Sequence, residues 1–209
     1  TDKRASNLLG VWGSSPNDLF TVGLNGAILH YDGNKWEKMD SGVDNFLTDV
    51  WGFGPDDVYA AGGLSSGDNY PILLHYDGTS WKTVFDTTGL KGHKASSVWG
   101  NSREATYYYS TLGLYKGSAE AGWTSIYIPN DNTYIEQIRG SSANNIFITG
   151  HFGLILHYNG SSWYRYDEFF SKTSPYGPTL KGIMPFDNKV YIAGSNDDAK
   201  AIVYIGSFK

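Results

Sequence analysis

The sequence contains no cysteine, only two methionines and no apolar run of 18 residues. Without cysteine, the chain can have no disulfide, no thiolate metal site and no cysteine nucleophile. The lack of a long apolar run predicts no membrane span. The opening "TDKRASNLLG" lacks the apolar core of a signal peptide, so we expect either a cytosolic protein or a signal removed before Thr1. The net charge of −5 does not suit a nucleic-acid partner.

Common catalytic signatures are also missing. The chain has no H-E-x-x-H motif and no phosphate-cradling loop. No pair of carboxylates stands out as an acid and a base. A sialidase-like site would need three converging arginines, whereas the arginines here are scattered: Arg4, Arg103, Arg139 and Arg165. We therefore expect no enzyme, no cofactor and no metal. Calcium at "SGDNY" or "SNDDAK" stays a weak alternative, because neither segment has a spaced ligand series.

What the sequence does contain is a repeated unit rich in aromatic residues and glycine. Aromatic residues make up 16% of the chain and there are 26 glycines, which is typical of short strands joined by tight turns. The segment "VWGSSPNDLFTVG" recurs at intervals of 39, 48, 40 and 45 residues, and its five copies begin at Val11, Val50, Val98, Ile138 and Ile183. Repeats of this length indicate a solenoid, a propeller or another array.

Each unit is predicted to form four short strands, which we call A to D. Strand A contains the VWG segment, strand B the "DLFTVG" run, strand C the "AILHY" run, and strand D starts at a tryptophan. Asp32-Gly33, Asp77-Gly78 and Asn159-Gly160 are predicted to form type I′ turns between strands C and D. Four strands in about 40–45 residues are typical of a propeller blade.

The pattern VWGSS-x-x-DVFAVG…ILHYDG-x-x-W resembles the repeats of bacterial β-propeller proteins related to BNR-like and photosystem-assembly-factor-like propellers. The resemblance covers essentially the whole chain and implies an all-β propeller. Five units predict five blades in a single domain over residues 1–209, with repeats starting near 8, 47, 95, 135 and 180. The fifth unit lacks strand D, which "TDKRASN" could supply, or the ring is closed differently in a longer array. The resemblance also implies an extracellular or cell-envelope location.

Positions that repeat between blades are interpreted as scaffold. His30, His75 and His157 are aligned with Leu114 and Val203 in the other units, which indicates a packing position whose imidazole bonds neighbouring backbone or a neighbouring blade. The tryptophans of strands A and D are expected to form the inter-blade core.

Two further sets of repeated positions are polar. Asp18, Asp57 and Asn145 are expected to cap the A–B turn by accepting from nearby backbone N–H groups. Arg139 replaces the strand-A tryptophan. It is expected to stack on a neighbouring ring, or to point into a central channel and bind an anion.

Loop lengths single out one side of the blades. The A–B and C–D turns are short and similar in most units, and we call their side the turn face. The B–C and D–A connections on the other side, the loop face, differ in length and composition. Because function sits on variable loops held by a rigid frame, we predict a ligand site there. The candidate residues are Asp68, Tyr70, His93, Asp131, Tyr134, Arg139, His151, Phe152, Phe169, Tyr176 and Asp197.

These observations predict a monomeric, non-catalytic recognition module. Aromatic rings mixed with Asp and Asn suit a protein or a glycan ligand. Protein or cell-surface recognition is the first hypothesis. A carbohydrate-binding lectin is the alternative, and a glycoside hydrolase or lyase is less favoured. The loops differ between blades, which argues against several identical sugar sites.

Overall fold

A computed structural model describes residues 7–63, 70–87, 95–129, 133–170, 177–196 and 200–207. Over these ranges the chain forms 19 β-strands and one 3-10 turn, His151–Gly153. No helix in this part of the chain has the length and apolar character needed to cross a membrane. The strands form five antiparallel sheets, and the chain divides into two compact units, residues 1–126 and 127–209.

The first unit contains three four-stranded sheets, in each of which the spatial order of the strands follows the chain. The first sheet has β1 (Leu8–Ser15), β2 (Asp18–Gly23), β3 (Ile28–Tyr31) and β4 (Trp36–Met39). The second has β5 (Leu47–Gly54), β6 (Asp57–Gly62), β7 (Ile72–Tyr76) and β8 (Trp81–Asp86). The third has β9 (Ala95–Ser102), β10 (Ala105–Ser110), β11 (Gly113–Ser118) and β12 (Gly122–Ile126).

The second unit contains two sheets with the same up-and-down order. The fourth sheet has β13 (Ile135–Ser142), β14 (Asn145–Gly150), β15 (Ile155–Tyr158) and β16 (Trp163–Arg165). The fifth sheet has three strands, β17 (Thr179–Phe186), β18 (Lys189–Ser195) and β19 (Ala201–Ser207).

The five sheets are the five predicted blades, and the prediction of an all-β propeller fold is confirmed. The strands at the blade starts begin at Leu8, Leu47, Ala95, Ile135 and Thr179, within one residue of the predicted repeat starts. The fifth sheet lacks strand D in the described part of the chain, as predicted. The strand expected from "TDKRASN" falls outside the described residues, apart from Asn7.

The core consists of apolar side chains packed between consecutive blades. Strand B is covered on both faces, and all six residues of β6 are buried. One buried cluster joins the first and second blades through Phe20, Val50 and Leu74. Another joins the fourth and fifth through Phe147 and Ile192. Within each unit, consecutive blades therefore bury apolar faces against each other, which stabilises the fold by about 25 cal/mol per Å² of apolar surface removed from water.

A histidine on strand C bonds the residue that opens strand B. Nε2 of His30 lies 2.6 Å from Oδ1 of Asp18, and its ring stacks on Phe20 at 4.4 Å between centroids. The partners predicted for the histidine and for the A–B turn residue were wrong. These two side chains bond each other within one blade. The same arrangement recurs in His75 with Asp57 and Tyr59, and in His157 with Asn145 and Phe147.

The strand register corrects the alignment of the third and fifth blades. His30 pairs with Phe20 across β2 and β3. The equivalent residue is Lys116, opposite Tyr107, in the third blade, and Ile205, opposite Tyr191, in the fifth. The sequence alignment had placed Leu114 and Val203 there. Both errors are shifts of two residues, which leave the strand face unchanged and are therefore invisible to a period-two hydrophobic pattern.

The C–D turns are not type I′ turns, which corrects a second prediction. Gly33 has a positive φ of 93°, but Asp32 does not. Oδ1 of Asp32 accepts from the backbone N–H groups of Asn34 and Lys35 at 2.8 and 2.9 Å. These two bonds lower the pKa of Asp32. The carboxylate thus builds an Asx turn. The turn is stabilised by side-chain hydrogen bonds, whereas we had expected two consecutive residues with positive φ.

Polar side chains on strand A also fasten one blade to the next. The buried carboxylate of Asp49 accepts from the Ser97 hydroxyl at 2.6 Å and from the backbone N–H of Val98 at 3.0 Å. Oε1 of Gln137 accepts from the backbone N–H of Ile183 at 2.8 Å in the second unit. Each of these two residues is the third residue of its strand A, so the two bonds form one repeated latch.

Replacing Asp49 by Ala should lower the free energy of unfolding by about 2–4 kcal/mol, because three buried donors, the Ser97 hydroxyl and the backbone N–H groups of Val50 and Val98, lose an acceptor. Urea denaturation monitored by tryptophan fluorescence measures this change. Asp44→Ala, at an exposed carboxylate, is the control and should change stability by less than about 0.5 kcal/mol. Equal effects of the two substitutions would contradict the latch.

The fourth blade should weaken as the pH falls below about 6.5. Burial lowers the pKa of His157 from its ordinary value of 6.5, and its Nε2 lies 2.8 Å from the neutral Asn145 side chain. Unfolding releases the histidine to take up a proton at a higher pH than the folded state allows, so stability is lost as the pH falls.

Asn145→Asp introduces the carboxylate that the first and second blades carry, and it should favour the charged imidazole. The urea midpoint of this variant should fall less steeply than that of the wild type between about pH 7 and pH 5. An unchanged or steeper pH dependence would contradict the role assigned to His157.

Candidate functional site

The predicted loop-face residues fall into two groups. Five of them lie outside the described residues, and their site role stays a prediction: Asp68, His93, Asp131, Tyr176 and Asp197. The structure describes the other six: Tyr70, Tyr134, Arg139, His151, Phe152 and Phe169.

Three of these six residues come together on the loop face of the fourth blade. Tyr134 precedes strand A and is 50% exposed. His151 and Phe152 follow strand B in the 3-10 turn. The ring of His151 lies 5.6 Å from that of Tyr134 and 6.4 Å from that of Phe152, and its backbone N–H donates to Tyr134 O at 2.9 Å. The prediction thus found neighbours that are 17 residues apart in sequence.

Glu136 completes this group, and sequence reasoning missed it. Its Oε1 lies 2.7 Å from Nε2 of His151, so the carboxylate orients the imidazole between the two aromatic rings. The strand-A residues at the same position in the first two blades are Leu9 and Thr48. The sequence did contain a signal for Glu136. It is a carboxylate at a position that is not acidic in the first two blades, two residues after an aromatic residue. We call Tyr134, Glu136, His151 and Phe152 the fourth-blade cluster.

Phe152 is held in a backbone conformation that bulky residues avoid. Its φ is 57° and its ψ is 25°, a left-handed conformation that costs a non-glycine residue about 1–2 kcal/mol. The equivalent turn of the first blade has Asn25 and Gly26, with φ values of 56° and 63°. Asparagine tolerates this conformation better than phenylalanine. Strained residues of this kind concentrate at functional sites.

The turn cannot relax, because the D–A connection presses against it. Gly153 donates its N–H to Pro178 O at 2.7 Å. A Cβ atom at Gly153 would lie 1.9 Å from Phe169 O. Packing within the blade therefore fixes the backbone conformation at Phe152, but it does not determine which side chain occupies this position.

The other three described candidates do not join the cluster. Tyr70 is half-buried against the first core, and its carbonyl accepts from Asn45 Nδ2 at 3.0 Å. Arg139 lies in the middle of β13, is buried, and donates Nη1–H to Ile138 O at 2.7 Å. Phe169 packs on Tyr204 with ring centroids 4.9 Å apart. Each of these three residues has a structural contact that accounts for its position.

A polar pocket of about 330 Å³ lies on the turn face between the second and third blades. Arg103 of the third blade spans it, with Nε 3.1 Å from Oδ2 of Asp57. Burial raises the pKa of Tyr59, whose hydroxyl accepts from Ala119 N–H at 3.1 Å. The pocket residues already contact one another across the two blades. Its carboxylates are Asp56, Asp57, Asp77, Glu104 and Glu120.

A smaller cavity of about 150 Å³ lies in the second unit, between the fourth and fifth blades. Its wall is mainly apolar and includes Phe147, Phe169 and Tyr204. Within the described ranges, no three His, Asp or Glu side chains are grouped as a metal ion would require.

No protein-family model and no curated protein matches the chain. Among solved structures, it is similar to a catalytically inactive virginiamycin B lyase from Staphylococcus aureus with quinupristin, at 11% identity and a TM-score of 0.73, over 98% of this chain and 68% of that chain. It is also similar to YCF48 from Cyanidioschyzon merolae, at 15% identity and a TM-score of 0.62, over 96% and 71% of the two chains.

A third similar structure is the extracellular domain of the hybrid two-component system BT3049 from B. thetaiotaomicron, at 11% identity and a TM-score of 0.65, over 98% of this chain and 28% of that chain. The three neighbours share a β-propeller fold with this chain. At these identities the likeness shows the fold alone, so function has to be argued from the sites.

Phe152→Asn should leave the free energy of unfolding within about 1 kcal/mol of the wild type, because relief of the left-handed strain offsets the lost partial burial. Urea denaturation measures this balance. Phe147→Ala, at a buried ring of the preceding strand β14, is the contrast and should cost about 3–5 kcal/mol. A large loss with Phe152→Asn would show that Phe152 is an ordinary core residue.

Proposed function

We propose that the protein is a non-catalytic recognition module that binds a protein partner through the fourth-blade cluster. The observation that carries the proposal is the left-handed Phe152, where the equivalent turn of the first blade has Asn25. The adjacent His151 ring lies 5.6 Å from that of the half-exposed Tyr134. A bulky ring at a backbone position that disfavours it has a cost in the folded chain. A role of this ring in binding explains why a residue with such a conformational cost stands at this position.

The chemistry of the cluster suits a protein surface. Tyrosine and phenylalanine rings supply rigid contact area, and interface hot spots favour aromatic anchors. The Glu136 carboxylate fixes the His151 ring between them at 2.7 Å, so the three rings are ordered before a partner arrives. Ordering the site in advance lowers the entropic cost of association.

The cluster occurs in one of the two blades that share this tight turn. The first blade has Leu9, Leu24 and Asn25 at the positions of Glu136, His151 and Phe152. A propeller lectin with one sugar site per blade would repeat the binding residues. A blade-specific cluster instead favours a single, asymmetric partner, which supports a protein ligand over a repeated glycan.

An extracellular or cell-envelope location fits this proposal. The repeat resembles that of bacterial surface and secreted propellers, and the similar structure of BT3049 is an extracellular domain. A recognition module that meets its partner outside the cell needs no cofactor. We expect it to act as a monomer.

Peptides selected from a random phage-displayed library on the immobilised chain should bind at the cluster. Tyr134→Ala and Phe152→Asn should each weaken the selected peptides at least about tenfold, as removal of a hot-spot ring does. Tyr164→Ala removes a 57% exposed tyrosine of strand β16 and serves as the control. Isothermal titration measures the affinities.

A glycan array on the same variants separates the two ligand classes. Specific glycan binding that Tyr134→Ala abolishes would replace the protein partner by a carbohydrate. Selected peptides whose binding is unaffected by both cluster variants would overturn the proposed site.

A further inference from the structure

The imidazole of His151 has one ring nitrogen bonded within the fourth-blade cluster and the other facing outward from that bond. Nε2 lies 2.7 Å from Oε1 of Glu136, and an ionised carboxylate only accepts hydrogen bonds, so the Nε2 atom carries a proton. In its neutral form the imidazole is then an acceptor at Nδ1. Among the described residues, no group bonds Nδ1, and the side chain is 33% exposed. The cluster therefore presents one acceptor whose direction Glu136 fixes.

The three rings of the cluster do not cover one another's faces. A scaffold histidine lies flat on a strand-B ring, as His157 does on Phe147, with centroids 4.1 Å apart and ring planes at 2°. The plane of His151 instead makes angles of 56° with that of Tyr134 and 58° with that of Phe152. Tyr134 is 50% exposed. The inclined rings thus leave aromatic surface for a ligand group to stack on.

The cluster favours a positively charged ligand group. The face of an aromatic ring is electrostatically negative and attracts a cation. Glu136 contributes a carboxylate whose side chain is only 18% exposed, so solvent screens it less than a surface charge. The chain as a whole has a net charge of −5, which also attracts a basic partner segment.

The acceptor at His151 discriminates between cations. A quaternary ammonium group has no N–H to donate, and a lysine ammonium is a compact, strongly hydrated charge. The guanidinium of arginine is planar, stacks on aromatic faces and carries five N–H donors. Arginine therefore combines the two properties that the rings and Nδ1 favour.

We propose that the fourth-blade cluster recognises an arginine side chain of the partner protein. Its guanidinium stacks on the ring of Tyr134 and donates a hydrogen bond to Nδ1 of His151, while the Glu136 carboxylate behind the imidazole offsets its charge. Phe152 provides apolar contact for the stem of the arginine. This inference rests on the proposed function and names the residue that the site takes.

Replacement of arginine in the selected peptides tests the inference. Peptides that bind the immobilised chain and are weakened by Tyr134→Ala should share an arginine. Citrulline keeps the shape and N–H groups of arginine without its charge, and in its place should weaken binding at least about fivefold in isothermal titration. Equal affinities, or cluster-binding peptides without arginine, would overturn the inference and leave the proposed function standing.

A lysine peptide separates the guanidinium from its charge. Lysine at the same position keeps the charge but loses the planar group, so its affinity should lie between those of the arginine and citrulline peptides. Binding by the lysine peptide as tight as that of the arginine peptide would overturn the assignment to a guanidinium.

Glu136→Gln locates the charge that the arginine meets. Glutamine keeps an oxygen that can accept from Nε2 of His151 but is uncharged. The arginine peptide should therefore bind this variant at least about fivefold more weakly, whereas the citrulline peptide should bind it within about twofold of the wild type. Equal losses for the two peptides would indicate a purely structural role of Glu136 and would overturn the inference.

Glu104→Gln is the matched control. Glu104 is an exposed carboxylate of the polar pocket on the turn face, and its removal should leave both affinities within about twofold. A loss for the arginine peptide would assign the arginine to that pocket and overturn the inference. If no selected peptide responds to Tyr134→Ala, the proposed function falls together with the inference.

Discussion

The edge-on contact between a strand-B ring and the strand-D tryptophan of the next blade is the interaction on which the rest of the structure depends. A four-stranded blade has two apolar faces and can bury them only against other blades. Phe20 with Trp81 and Tyr59 with Trp123 show how the first unit does this. The histidine that stacks on each strand-B ring holds it in place, and the strand-A latches tie the blades near their first strands.

This frame separates scaffold from recognition. Turns that pack against a neighbouring strand must keep their backbone, as the 1.9 Å approach at Gly153 shows. The side chains that such a turn presents can still change from blade to blade. The fourth blade uses this freedom to place Phe152 and His151 beside Tyr134. The interface between the fourth and fifth blades contains a cavity of about 150 Å³ beside Phe147.

Repeat periodicity made most of the fold predictable. The number of blades and the four-stranded blade pattern followed from aligning one segment with itself. The registers of the third and fifth blades did not, because a shift of two residues keeps the same strand face, and Lys116 replaced the predicted Leu114. Loop lengths pointed to Tyr134, His151 and Phe152. They could not reveal Glu136, whose role depends on which strand ends meet.

The central claim is that the regular frame of the blades holds a recognition site at the fourth-blade cluster. Hydrogen exchange, followed by mass spectrometry with and without a peptide selected on the immobilised chain, tests it most directly. The account predicts that the bound peptide protects the backbone amides of residues 134–136 and 151–153, because these amides become less accessible to solvent. Protection confined to another blade would contradict it.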